Sequence, residues 1–329
     1  MAEMSLTRRF VSRFFPLSVL HRRVLYRLRR NVFRQKTAVA AVYDFRMHVP
    51  LNVPGIGRAL MIFGERELDQ YFILGKVLGA GDIVMDIGSN IGYYTSIEAH
   101  IVGPTGHIYS FEPDIRNFEL LEANLEINNA RDITEIFNAP VSADAADVEF
   151  HLAEHSNLSS MHLTRGNKNS ALVDRNLQDR AYLKTVRLRS IAFCDFLQTA
   201  TRPVTLVRMD IEGHEAVIFT ALADRLERDP QFTGAPRTFV FEPHSWEYTA
   251  EQDLATALIR LARFGYRITY LGTRDETRSP IGKLGYKPVR QLLEKRGFLR
   301  GVYAGIDQET AIHLASAVDG VTTVCLERQ

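Results

Sequence analysis

Two stretches of this chain carry side chains whose types and spacing could do chemistry. The first is D-I-V-M-D-I-G-S-N-I-G-Y-Y-T at residues 82–95, where Gly88 and Gly92 stand between an apolar strand-like run and a helix-like one. Glycine permits a tight turn and lets a ligand come close to the backbone. Twenty residues past Gly92, Glu112 closes the next strand-like run in F-E-P. A carboxylate at that place can accept both hydroxyl protons of a ribose. The second stretch is M-D-I-E-G-H-E at 209–215, with F-E-P-H following at 241–244. Asp210 and Glu242 each end a strand-like run. Glu212, His214 and Glu215 follow the first of these carboxylates, and His244 follows the second.

The glycine loop selects among nucleotides by charge. A dinucleotide site needs G-x-G-x-x-G, so that backbone amides cradle a pyrophosphate. Here the middle glycine is absent and Asp86 precedes the loop. That carboxylate would repel a diphosphate but could help hold an ammonium group. S-adenosylmethionine (SAM) offers a ribose diol, an α-amino group and a sulfonium, and carries no phosphate. The charges therefore favour SAM over NAD, with an NAD-dependent oxidoreductase as the rival on the same fold. Taken alone, Gly88 and Gly92 also fit a plain strand-to-helix turn, a weaker reading once Asp86 and Glu112 are added.

Methyl transfer to oxygen needs a hydroxyl stripped of its proton and set in line with the sulfonium methyl. In one reading Asp210, Glu212 or His214 is the general base. In another, Asp210 and Glu242 bind Mg²⁺ through oxygen ligands, with His244 nearby, and the metal lowers the hydroxyl pKa. In the third, Glu212 and Glu215 only cap the following helix, since acids suit a helix N-terminus. Gly213 reads as a turn residue that frees Glu212 to point inward.

These residues need strands to place them. Strand-like runs at 82–87, 106–112, 133–137, 204–210 and 238–242 alternate with helical spacing at 92–102, 114–128, about 214–223 and about 250–264. Runs at 266–271 and 321–326 supply two more strands. Alternation of this kind predicts crossover units and a parallel sheet. Strands with few polar positions fit a sheet covered on both faces. Ligands then bind at the carboxyl ends of the strands. The regularity breaks at about 145–190, which reads as an insertion or lid holding His151, His155 and His162, each expected to be solvated. The chain divides into a leader (1–36), a connecting or cap region (37–81), the core with its insertion (82–271) and a C-terminal part (272–329). Cys194 and Cys325 sit in helix-like and strand-like contexts, where buried thiols usually only pack.

In this order and spacing, D-I-G-S-N-I-G-Y-Y-T (86–95), F-E-P (111–113), N-A-P-V-S (138–142), S-N-L-S-S-M (156–161), M-D-I-E-G-H-E (209–215) and F-E-P-H (241–244) resemble the FkbM family of SAM-dependent methyltransferases. The resemblance covers about residues 80–245. It implies an α/β fold of the class I, Rossmann-like kind with a mostly parallel seven-stranded sheet. It also implies O-methylation, often of sugars, polyketides or glycolipids. Carried over by position, Asp86, Gly88, Asn90 and Gly92 line the methionine end of SAM and Glu112 binds the ribose. The segment 138–141, with Asn138 and Pro140, flanks the adenine.

Composition sets the remaining bounds. Hydrophobic residues make up 46% and charged residues 24%, ordinary values for a globular chain of 329 residues. Two cysteines cannot form a disulfide framework, and their scarcity fits a reducing, cytoplasmic compartment. No apolar run approaches the roughly 18 residues of a membrane-spanning helix, and no signal peptide is read. The net charge of +1 hides a split: residues 1–36 carry ten Lys/Arg against Glu3 alone, so the rest of the chain is acidic. A uniformly basic nucleic-acid binder is disfavoured, and no nucleic-acid partner is expected. The leader mixes arginines with apolar residues at helical spacing, and Pro16 is expected to divide two helices. It is either an interfacial helix meeting anionic headgroups or a helical extension packed on the body or on a second subunit. The expected activity is methyl transfer from SAM to a hydroxyl of a carbohydrate or lipid-linked acceptor. The alternative is a SAM-binding scaffold without turnover.

Overall fold

The structure, a computed structural model, describes residues 16–52, 55–154, 156, 159–161 and 182–329. Helix α1 (Pro16–Arg27), prolonged by a π-helical turn to Val32, leads to a hairpin of β1 (Thr37–Val42) and β2 (Phe45–Pro50). Helices α2 (Ile56–Phe63) and α3 (Leu68–Val77) follow. The alternating core opens with β3 (Ile83–Ile87), α4 (Tyr93–Val102), β4 (His107–Phe111), α5 (Ile115–Ile127) and β5 (Thr134–Phe137). It is interrupted by β6 (Val141–Ser142), β7 (Asp147–Ala153), β8 (Tyr182–Arg189), β9 (Ile191–Ala192) and α6 (Phe193–Thr199). It resumes with β10 (Leu206–Met209), α7 (Glu215–Arg228), β11 (Thr238–Phe241), α8 (Leu254–Ala262) and β12 (Tyr266–Thr273). The chain closes with α9 (Pro280–Lys283), β13 (Arg290–Leu293), β14 (Leu299–Ala304), α10 (Gln308–Ala317) and β15 (Val321–Arg328).

Nine of these strands form one sheet in the order β13-β14-β12-β15-β11-β10-β3-β4-β5. From β11 to β5 the strands run parallel. β15 enters antiparallel between β11 and β12. Successive residues of a strand point to opposite faces, and both faces here are covered. Met85, Val207 and Phe239 face a core built with α6, α7, α8 and α10. Val84, Leu206 and Val240 face a second core built with α2 to α5. This double cover explains why all five residues of β3 are buried and why the central strands read as continuous apolar runs. Residues 37–81 pack into that second core through Met47, Leu60 and Leu74.

The expected alternation is present, with differences at the periphery. The sheet has nine strands, because the hairpin β13–β14 extends the β12 edge. β13 is mostly exposed, and β14 carries Arg300 and Gly301 in its middle, so neither gives a strong apolar signal. The helix expected at 214–223 runs on to Arg228. The described part of the insertion is an antiparallel arm of β7 and β8. His151 is buried there, its Nδ1 2.9 Å from Thr185 Oγ1, in contrast to the solvated loop residue expected. His155 and His162 lie outside the described residues, as does the helix expected before Pro16. Cys194 and Cys325 are free, and burial pushes their thiols up to about 11 and about 12.

Candidate active site at the strand ends

The loop from β3 to α4 is built on backbone geometry that demands glycine. Gly88 has φ +78°, and a Cβ there would run into the carbonyl of Asp210. The loops leaving β3 and β10 therefore come backbone to backbone at Gly88 and Asp210. Gly92 has φ +80° and is packed beneath Leu121. Between them Asn90 also sits at positive φ (+53°), as does Glu212 on the neighbouring loop (+53°). A left-handed backbone at a non-glycine residue costs about 1–2 kcal/mol, and such strain tends to collect at functional sites.

Gly88, Asn90, Glu112, Pro140, Asp210 and Glu212 line one cleft, together with Asn117 and the arm residues Phe150, Ser159 and Ser160. The Glu112 carboxylate is fixed by two amides, accepting from Asn90 N and from Asp114 N, each at 2.8 Å. Burial pushes its pKa up to about 8, although those donors pull the other way. Asn138 lies behind this turn, where its Nδ2 donates to the carbonyls of Glu112 and Pro113. Asn117 is 2% exposed, and its Oδ1 has no hydrogen-bond partner. That leaves a buried acceptor on the cleft wall. Ser159 Oγ donates to Asp114 Oδ2 at 2.9 Å, which ties the arm to the start of α5.

Asp86 points elsewhere. It is fully buried, accepts from Thr95 Oγ1 at 2.6 Å and pairs with Arg208 Nη1 at 3.3 Å. Arg208 stands directly opposite Asp86 in the β3–β10 register. It reaches Asp210 at 3.2 Å and lies 4.2 Å from the Tyr94 ring centroid. The carboxylate expected to hold an ammonium group is thus engaged by a guanidinium and a hydroxyl. Glu98 is buried in the same region with neither carboxyl oxygen hydrogen-bonded. Burial and the Asp86 charge raise its pKa well above the carboxylate range, so it is a neutral acid.

Across the cleft, Asp210, Glu212 and His244 converge. His244 Nε2 lies 3.8 Å from Asp210 Oδ1 and 3.7 Å from Glu212 Oε2. Its Nδ1 is 3.0 Å from Oε1 of the fully buried Glu215. That oxygen also accepts from Ile211 N and Gly213 N, while Oε2 accepts from Tyr248 OH. Burial opposes charge on both partners, yet their mutual attraction prevails. Glu215 is held below its usual range, and His244 is raised well above its own by Glu215 and Glu212. Glu242 stands beside this group, and burial with the Asp210 and Glu67 charges pushes it up to about 8. One atom each from Asp210, Glu212 and His244 falls within 4.8 Å of the others, a spacing able to hold a cation. Glu242 is not in that trio. His214 is apart from it, 3.0 Å from Ser142 Oγ.

The sequence reading does not name Arg208 or Tyr248, and it names His244 only as standing near the Asp210–Glu242 pair. Arg208 is hidden in an apolar run. Tyr248 gave no signal. The fold and the cleft are those of a class I, Rossmann-like methyltransferase: a parallel sheet with a glycine turn after its central strand and an acidic residue ending the next. A model of the methyltransferase FkbM domain matches residues 86–268, more than half of the chain. The chain belongs to this family, and SAM is its cofactor.

The methyltransferase FkbM from Methylobacillus flagellatus KT is similar in structure, at 15% identity and a TM-score of 0.40, over 73% of this chain and 48% of that one. M. jannaschii TYW2 in complex with AdoMet shares 10% identity and a TM-score of 0.41, over 90% and 88%. A curated relative, protein-L-isoaspartate O-methyltransferase of Methanothrix thermoacetophila, is 36% identical over 59 residues. That match takes in 18% of this chain and only 28% of the relative's length.

Proposed function

We propose that the protein transfers the methyl group of SAM to a hydroxyl of a carbohydrate or lipid-linked acceptor and releases S-adenosylhomocysteine. The observation that carries this reading is the His244 constellation: one ring nitrogen is held by buried Glu215, and the other lies 3.8 Å from Asp210 and 3.7 Å from Glu212, two carboxylates that line the cleft. In this reading Glu112 takes the ribose hydroxyls, and Asn117 Oδ1 takes a donor from the bound nucleoside. A cationic sulfonium in the cleft would oppose the charge on His244 by like-charge repulsion, and Nε2, once neutral, would be the proton acceptor. The acceptor hydroxyl gives its proton to Nε2 as its oxygen attacks the methyl carbon. The carbon–sulfur bond breaks with its electron pair going to sulfur. Asp210 and Glu212 then stabilise the imidazolium. Glu242, protonated near neutrality, can donate a hydrogen bond to an acceptor oxygen. The hydroxyl-lined arm suits a polar substrate, and the curated relative is by name an O-methyltransferase.

His244→Gln should lower kcat by about 10²–10⁴-fold without weakening SAM binding, since it removes a charge that repels the sulfonium. Full activity on acceptors that the wild type methylates would remove the residue from the chemistry. A wild type that binds SAM and methylates nothing in a mixed panel of hydroxyl acceptors would favour the scaffold. A second reading rests on the same trio, with a divalent cation held by Asp210, Glu212 and His244 and the ring oriented by Glu215, as ligating histidines commonly are. Turnover lost to a chelator and restored by Mg²⁺ or Mn²⁺ would place it first.

A further inference from the structure

Helix α1 packs against α2 and buries Tyr26. Among the described residues nothing covers its outer face. Leu20, Val24, Leu28 and Val32 are 56%, 47%, 40% and 63% exposed, and Phe33 beyond them is 66% exposed. The four aliphatic residues recur every fourth position, so they form one stripe along the helix and its π-helical extension. Beside them is a recess of about 360 Å³ lined by Arg23, Arg27, Arg30, Asn31 and Arg58, with Tyr26 and Ile62 at its base. Arg30 reaches the Tyr26 hydroxyl at 3.4 Å, and Arg23 lies over the Phe63 ring. None of the four arginines pairs with a carboxylate among the described residues. The sequence places no acid between Glu3 and Asp44. Four guanidinium groups converge here on a recess to which no described residue brings a carboxylate, next to apolar side chains that no described residue covers.

We propose that this face docks the protein on an anionic phospholipid bilayer, with a lipid phosphate seated among Arg23, Arg27, Arg30 and Arg58 and the aliphatic stripe in the acyl boundary. Guanidinium groups suit phosphate oxygens. An amphipathic helix lying in the interface needs both halves of this arrangement: a cationic face for the headgroups and an apolar face for the chains. A second copy of the chain would bring two sets of unpaired arginines together, and their repulsion opposes it. RNA would use the arginines but has no use for a stripe of Leu and Val, since unpaired bases stack on aromatic or guanidinium planes.

The test is co-sedimentation of the full chain with vesicles of equimolar phosphatidylcholine and phosphatidylglycerol, against vesicles of phosphatidylcholine alone. Binding is expected to the first and not the second. Each arginine near such a surface contributes about fivefold, so the double variant Arg27→Ser/Arg58→Ser should reduce partitioning about 25-fold. The variant Leu20→Ser/Val24→Ser/Leu28→Ser should abolish the binding that persists in high salt, because the apolar contribution is not screened. Both variants should keep wild-type SAM affinity and melting temperature, which shows that they fold. Equal binding to both vesicle types, or undiminished binding by well-folded variants, overturns the proposal. Self-association that the stripe variant abolishes, without vesicle binding by the wild type, overturns it in favour of a second copy. Tighter binding to oligouridine than to the anionic vesicles overturns it in favour of RNA.

Discussion

Binding of the nucleoside should release a proton, and Glu112 is the source. Without ligand its carboxyl titrates at about 8 against an ordinary 4.5, because it is buried. Two ribose hydroxyls donating to it stabilise the charged form, so its pKa must fall on binding. If the bound value returns to the ordinary one, linkage fixes the pH dependence. About nine-tenths of a proton leaves at pH 7. The dissociation constant tightens about ninefold from pH 6 to 7 and about fivefold from pH 7 to 8, and flattens above. Titration calorimetry with S-adenosylhomocysteine checks this without turnover, and buffers of different ionisation enthalpy count the protons. Glu112→Gln supplies the control, since an amide in that place should remove the slope and weaken binding most at pH 8. Glu242 also titrates near this range, at about 8, so only the difference between wild type and variant is diagnostic. Identical slopes in the two proteins would refute the ribose role. The stability of the free protein runs the opposite way. A raised carboxyl pKa contributes stability that is complete below about 4.5 and is lost as pH rises through about 8.

Other perturbations follow from the buried charges. Arg208→Met removes the guanidinium between Asp86 and Asp210 and leaves Asp86 buried without its cation. A loss of about 3–5 kcal/mol is expected, measured by denaturant unfolding, and a loss under 1 kcal/mol would contradict the pairing. Glu98→Gln replaces a neutral acid by a neutral amide of the same shape. Because the raised pKa costs stability as pH rises, the variant should match wild type near pH 4 and melt higher at pH 8. Equal melting temperatures at both values would show that Glu98 ionises freely.

The parts of the site that depend on one strand and its own turn were legible in the sequence. Gly88 and Glu112 needed only the rule that a parallel sheet presents its loops at the strand ends, while Asn90 came with the family resemblance. Pro140 came in the same way and also lines the cleft. Partners supplied by a neighbouring strand were not legible. Nothing along the chain announces that Arg208 lies opposite Asp86, because that pairing is a matter of register between strands more than a hundred residues apart. The Glu215–His244 contact likewise needs α7 to begin beside the end of β11. His214 drew attention by standing inside the acidic motif, yet the turn through Glu212 and Gly213 sends it to Ser142 and gives Glu215 the inward place. The β13–β14 hairpin escaped notice because β13 is mostly exposed and the buried β14 is broken by Arg300 and Gly301, so neither carries a periodic apolar signal.

The arm that walls the cleft leaves the body at β6 and returns at β9, and those two short strands pair with each other. Its entry and exit are therefore adjacent, like the two ends of a clasp. A segment anchored in this way can be lengthened, trimmed or exchanged without shifting β3 or β10, which hold the methyl donor's loops. New arms grafted at β6 and β9 would keep the sheet in place while re-facing the shared cleft, provided that they keep a partner for Asp114 where Ser159 now stands.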